Sequence, residues 1–355
     1  MVKALRASVP QVLVLLLGLL AASILMLIVG YNPLEVYGTL VNGALGNRDG
    51  QSYVLTYTGT LILSALAFLI PGKAGIWNVG AQGQIFMAGA VATIVAVVFP
   101  LPFIIWPLVA VMAAMLVGAF WAFIPGILEA YRNASAIVTT IMLNFVGEAI
   151  SAALFLSIIV DAQPKARLYN TAAIPPLASI PSLPFFTTSI MIIVAVVVAI
   201  GTEYFFRGTT LGYKIRATGL GPHPAEAKGV NPRRTKVIAM VIGGLVAGLA
   251  GAGDVLAAGH SCGSSACYQV GFAAGWFGGE GFAGIAVALV AASNPIGAIF
   301  SAIFFSVLVA GSASVGASGL NVYVIWAMQG IIIVFMSMPH ISTVILKAGR
   351  RRKWT

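Results

Sequence analysis

Apolar stretches long enough to cross a bilayer recur about ten times in this chain. They lie near residues 11–30, 54–71, 79–99, 104–127, 136–160, 187–206, 237–258, 272–292, 295–315 and 321–338. A span needs about 20 apolar residues as a helix, so this recurrence predicts a polytopic, all-α membrane protein. The composition agrees: of 355 residues, 60% are hydrophobic and 8% charged, against roughly a quarter charged in soluble domains. One transmembrane domain over residues 1–355 is expected. The first run follows Lys3 and Arg6 and leads into Tyr31-Asn32-Pro33 without a small-residue cleavage site, so it reads as a retained helix.

The cations set the orientation. With the N-terminus in the cytoplasm, sixteen of the 19 Lys and Arg residues fall in inside gaps, and only Arg48, Lys165 and Arg167 fall outside. That asymmetry satisfies the positive-inside rule and places both termini in the cytoplasm. The net charge of +10 therefore reads as topology and not as nucleic-acid binding.

Three polar intervals stand out. The cytoplasmic loop 207–236 carries Arg207, Lys214, Arg216, Lys228, Arg233, Arg234 and Lys236 against Glu226 alone. Within it, Pro222, Pro224, Ala225, Glu226, Ala227 and Lys228 read as a short helix closed by Gly229, because proline suits a first turn and glycine a C-terminal cap. Small residues let such a helix lie in a partner's groove, so we read this loop as a docking element. The external loop 161–186 is rich in proline, and its Asp161, Lys165 and Arg167 offer either a dock for an outside partner or a solvated linker. Cys262 and Cys267 share an outer loop, as a disulfide or as two free thiols.

Two glycine-rich stretches interrupt apolar runs, at 72–84 and at 271–284. Backbone that leaves the helix at membrane depth is buried in protein or lines a cavity. Paired interruptions are the usual pointer to a transporter's central site, although close helix packing through glycine is the plainer alternative. Their senses fit an inverted repeat of spans 2–5 and 7–10. Glu148 falls four residues after Asn144 and eight after Thr140, which puts the three on one helical face. A charge at membrane depth marks function or a tie between helices. Asp254 and Glu203, nearer span ends, read as solvated at the interface. No catalytic set, P-loop or metal-ligand spacing occurs, so no enzyme, cofactor or metal site is expected in this chain.

Four segments carry a family resemblance. Asn78 to Gln84 (NVGAQGQ), Thr139 to Phe145 (TTIMLNF), Ala217 to Asn231 and Gly281 to Pro295 resemble, in order and spacing, segments of the ABC-importer permeases for branched-chain amino acids, ribose and nucleosides. The first leans towards the nucleoside branch. Ala283 departs from the pattern, standing where it carries an acid, with Glu280 three residues earlier.

The resemblance implies an alternating-access importer in a bacterial inner membrane. It also implies a second permease chain, often a different one, a cytoplasmic ATPase that binds ATP and Mg2+, and an external substrate-binding protein, commonly a lipoprotein. ATPase coupling then falls to Gly219, Pro222, Pro224, Ala225, Glu226, Ala227, Lys228 and Gly229. Substrate-pathway candidates are Asn78, Gln82, Gln84, Asn144, Glu148, Trp276, Phe277 and Glu280, which supply amides, acids and aromatic faces for a nucleoside. Riboflavin or a simple sugar is the alternative cargo. A proton-coupled carrier titrating at Glu148 is the alternative mechanism, and a scaffolding protein would not transport at all.

Overall fold

A computed structural model describes residues 2–102, 105–156, 159–163, 168–171, 174–183, 188–257 and 279–317, with a few positions between 327 and 335. Trp276, Phe277, Cys262, Cys267, Lys165 and Arg167 lie outside the described residues. Twelve α-helices and one small hairpin appear. Seven of the helices are long and apolar enough to span a membrane: α3 (Arg48–Gly72), α4 (Ala81–Val98), α5 (Ile105–Arg132), α6 (Ala136–Leu156), α7 (Met191–Gly208), α10 (Pro232–Ala257) and α12 (Pro295–Ala317). The multi-pass, helical expectation is met. The span expected at 272–292 is represented among described residues by an 11-residue helix, α11 (Glu280–Val290).

The chain divides into two compact units, one of Met1–Val54 with Phe304–Thr355, the other of Leu55–Ile303. In the first, α1 (Val2–Val29) bends 115° into α2 (Pro33–Leu45), a helix that apolar periodicity did not single out. The bend is chemically specified. Gly30 takes φ +91°, the Tyr31 N–H reaches the Met26 carbonyl at 2.8 Å, and Asn32 caps α2 with Pro33 in its first turn. Tyr37 then donates to the Leu19 carbonyl at 2.9 Å, pinning α2 back onto α1.

The second unit is built around α10. Its neighbour α5 carries a small residue at every fourth position, Ala110, Ala114, Gly118, Ala122 and Gly126, all buried. That spacing draws a smooth stripe of small residues that winds slowly around the helix as it rises. A Cβ on Gly118 would strike the Gly244 carbonyl and come within 2.9 Å of Gly248 on α10. The opposite face of α5, with Leu108, Met112, Leu116 and Phe120, is exposed as lipid requires. Other glycines of α10 meet other helices: a Cβ on Gly251 would come within 2.5 Å of the Ile85 carbonyl of α4, and one on Gly243 within 2.8 Å of Ala67 and Pro71 of α3. Without a hydrophobic drive in lipid, such close contact supplies the dispersion that holds helices together.

The proline-rich loop after α6 contains the strand pair among the described residues. Strand β1 (Ile159–Gln163) pairs antiparallel with β2 (Leu168–Thr171), Ala162 opposite Tyr169. Helix α6 ends at Leu156, so the apolar run expected to continue as helix to residue 160 finishes as a strand rich in β-branched residues. The turn expected at Asn294-Pro295 is present: Asn294 caps α12 by accepting from the Ile296 and Gly297 N–H groups at 2.9 and 3.1 Å.

Candidate functional site

The first glycine-rich stretch is a true break. Helix α3 stops at Gly72, and Gly75 at φ +81° closes it with two hydrogen bonds, Ile76 N–H to Pro71 and Gly75 N–H to Gly72. The chain then runs without helix to Gly80 before α4 begins. Non-helical backbone inside a membrane body needs partners for its N–H and C=O groups, and the polar side chains singled out from sequence provide them.

Asn78, wholly buried, donates to the Ala67 carbonyl of α3 at 3.0 Å and accepts from Gly80 N–H at 3.1 Å. Its amide also pairs with that of Gln84, at 3.3 and 3.1 Å in the two directions. From α6, Asn144 accepts from Gly83 N–H at 2.8 Å and donates to the Val79 carbonyl at 3.0 Å. Gln82 accepts from Gly281 N–H at 2.6 Å, which brings the first turn of α11 onto the break. A Cβ on Gly281 would fall on the Gln82 backbone. The four amides thus knit α3, α4, α6 and α11 around one irregular segment, and each is committed to hydrogen bonds inside the protein.

Glu148 lies elsewhere. Ala136, Thr140, Asn144, Gly147 and Ser151 are buried positions of α6, and Glu148 is exposed. Eight residues at 3.6 per turn rotate about 80°, so Thr140 and Glu148 do not share a face as expected: α6 turns Gly147 to α4 and Glu148 outwards. Trp77, though inside the break, is 53% exposed and packs edge-on against Phe68 at 5.8 Å.

The acids that do face inwards are Glu280 and Asp254. Glu280 is 7% exposed, at the start of α11, and its backbone carbonyl accepts from Ser64 at 2.9 Å. Thr60, one turn before Ser64 on α3, donates to Asp254 Oδ1. Asp254 Oδ2 is shut off from solvent with no hydrogen-bond partner among the described residues. The two carboxylates lie within electrostatic reach of each other. Asp254 thus corrects the expectation of interfacial solvation. The signal was available, because an acid inside a run of Gly and Ala argues for burial against a donor as strongly as for a span end. Glu203 has the local partner its position implied, Arg207 one turn later.

The polar loop 207–236 forms three short steps. Thr209 caps α8 (Thr210–Leu220), accepting from Gly212 N–H at 3.0 Å. Helix α9 (Pro222–Ala227) follows, and the expected cap is present: Gly229 has φ +79°, its N–H bonds to Glu226 at 2.9 Å, and Val230 N–H reaches back to Ala225 at 3.1 Å. Asn231 then caps α10 through Arg234 N–H at 3.1 Å. Ala225 is buried, while Pro222, Pro224, Glu226, Ala227, Lys228 and Gly229 are not. Gly219 ties this segment to the break: a Cβ there would hit the Lys73 carbonyl, and Gly75 N lies 3.1 Å away. Beside this contact, burial holds the Lys73 amine below the usual lysine range, with Arg216 pushing the same way and Glu203 opposing.

The α8–α9 segment, the break and α11 are therefore joined in series by close contacts. The profile of the family described as "branched-chain amino acid transport system / permease component" matches residues 51–337. The chain belongs to that family. Similar curated proteins include the nucleoside ABC transporter permease protein NupB of Lactococcus lactis subsp. cremoris, 32% identical over 98% of this chain and 95% of that one. The guanosine ABC transporter permease protein NupP of Bacillus subtilis is 29% identical over 96% of both chains. The glucose ABC transporter permease protein TsgB13 of Haloferax volcanii is 28% identical over 92% of this chain and 86% of its own. No solved structure matches. Members of this permease family are transport components, multi-pass in the membrane, which in bacteria is the inner membrane.

Proposed function

We propose that this chain is the membrane-spanning permease of an ATP-driven, binding-protein-dependent importer, and that its cargo is a nucleoside. The observation that carries the reading is the serial contact from α9 through Gly219 to the Lys73–Gly75 turn and on through Gln82 to Gly281. Such a path gives a cytoplasmic motor a mechanical handle on the buried break. The family supplies the class of transport system, and the names of two similar full-length relatives supply the cargo.

In this reading a separate ATPase binds ATP and Mg2+ and grips α8–α9. A second permease chain completes the pathway, and an external substrate-binding protein delivers the solute. Because Asn78, Gln82 and Asn144 hold backbone and Gln84 holds the Asn78 amide, their role in passage is to shape the break, and Glu280 with Asp254 supplies the inward acids. Both termini are cytoplasmic, with the spans related as an inverted repeat.

The test is reconstitution with co-purifying subunits and uptake of labelled guanosine, with glucose and riboflavin as competitors. ATP-dependent guanosine uptake is the expected result. Uptake that persists without an ATPase and collapses with a protonophore would overturn the motor, and competition by glucose alone would move the cargo to simple sugars.

A further inference from the structure

A cavity of about 560 Å³ lies between the end of α3 and the α8–α9 segment. Gly72 and Lys73 form one wall; Arg216, Gly219 and Lys228 line the other. Three lining residues are cations and none is an acid. The ion pairs among the described residues are Arg207–Glu203 and Lys236–Glu129, so Lys73, Arg216 and Lys228 touch no carboxylate there. Tyr213, Leu220 and Val230 add an apolar lining.

Lys73 is half-buried, and Arg216 and Lys228 are exposed beside it; like charges gathered around one cavity repel one another, and an anion among them relieves that repulsion. Burial is the main cause that lowers the Lys73 pKa; Glu203 opposes it, and Arg216 adds a smaller push in the same direction as burial. A carboxylate brings one charge and two oxygens. A phosphate ester brings up to two charges and three terminal oxygens, which suits one planar guanidinium and two ammonium groups. The volume leaves room for an organic group beside the phosphate, against Tyr213 and Leu220. Basic pockets at the cytoplasmic ends of membrane helices are suited to such anions.

We propose that the cavity lined by Lys73, Arg216 and Lys228 binds a phosphate-ester anion, from a lipid headgroup or a soluble phosphorylated metabolite. A bound anion bridges α8–α9 to the end of α3. It thereby stiffens the link that the Gly219 contact makes, and it makes transport sensitive to the anion. The inference stands whichever solute is carried.

The test uses the full chain with its retained subunits in phosphatidylcholine nanodiscs, titrated calorimetrically with inorganic phosphate and with AMP. A parallel set of nanodiscs contains phosphatidylglycerol, and native mass spectrometry reads the lipid retained. Binding of phosphate or AMP in neutral discs identifies a soluble ligand; retention of phosphatidylglycerol alone identifies a headgroup. In either case Lys73→Gln and Arg216→Gln weaken binding by about tenfold, Arg216→Lys keeps part of it, and Lys236→Gln leaves it unchanged. Thermal unfolding of each variant separates lost binding from lost folding, and Arg216→Lys carries the test if the glutamine variants fail to fold. Absence of binding by every probe overturns the proposal, as does binding indifferent to both lining-cation substitutions. Variants that shed the ATPase while the wild type binds no anion would make the cavity a protein dock and equally overturn it.

Discussion

The break between α3 and α4 and the α8–α9 segment are both irregular, glycine-dependent stretches, yet they treat their polar groups in opposite ways. In the break, Asn78, Gln82 and Asn144 are spent on the protein's own backbone, and Gln84 on the Asn78 amide. In the α8–α9 segment, Arg216 and Lys228 line a cavity without a carboxylate in contact among the described residues. The first stretch is finished within one chain and the second is made to meet something else. Saturation of polar groups, and not glycine content, separates a structural irregularity from a docking one.

The comparison can be broken most forcefully at Gly281. Gly281→Val forces a side chain onto the Gln82 backbone, and overpacking of this kind costs about 1–3 kcal/mol or more. We expect little folded protein by fluorescence-detected gel filtration; a normal yield would show that α11 does not seat on the break. Asn144→Ala comes next. It strands the Gly83 N–H and the Val79 carbonyl in the interior, at about 1–3 kcal/mol for each stranded group. Its melting temperature in detergent should fall sharply, whereas the same change at Glu148, on the exposed face, should leave it unmoved.

Gly229→Ala tests the other region. A left-handed residue with a Cβ costs about 1–2 kcal/mol, here spread over an exposed cap. Folding should survive while ATP-dependent uptake drops severalfold, and Gly229→Asn should recover part of it. Unchanged uptake would remove α9 from the coupling path. Lys236→Gln, which breaks the half-buried pair with Glu129 at 3.3 Å, should shift stability by only about 1 kcal/mol or less.

A pH series sharpens the same contrast. Because the folded state holds the Lys73 pKa below 10.5, the unfolded chain carries more protons between the depressed value and 10.5. Stability therefore rises with pH across that window. Lys73→Met should flatten the rise, as seen in thermal unfolding against pH.

Much of this was legible in the sequence. Apolar runs located the helices, the Gly-rich interval located the break, and Pro222 with Gly229 located α9 and its cap, because each signal is local. What escaped depends on neighbours. An Asn or Gln at membrane depth looks alike whether it waits for a solute or holds a backbone N–H, and only the approach of α6 and α11 decides that for Asn144 and Gln82. Glu148 was misplaced by counting two four-residue steps as a straight line down a 3.6-residue helix. The donor that Asp254 meets is Thr60, a residue 194 positions away. Helix α2 was hidden because its apolar run is shorter than a span.

The Gly219 contact sets one bare main chain against another. A side chain between two segments acts as a spring, since its torsions can turn to absorb a displacement. Here there are no torsions to turn, so a shift of α8 of a few tenths of an ångström must be matched by the Lys73 carbonyl or the contact is lost. The joint behaves as a hinge pin without slack, and any residue larger than glycine would push the two segments apart before the motor had moved.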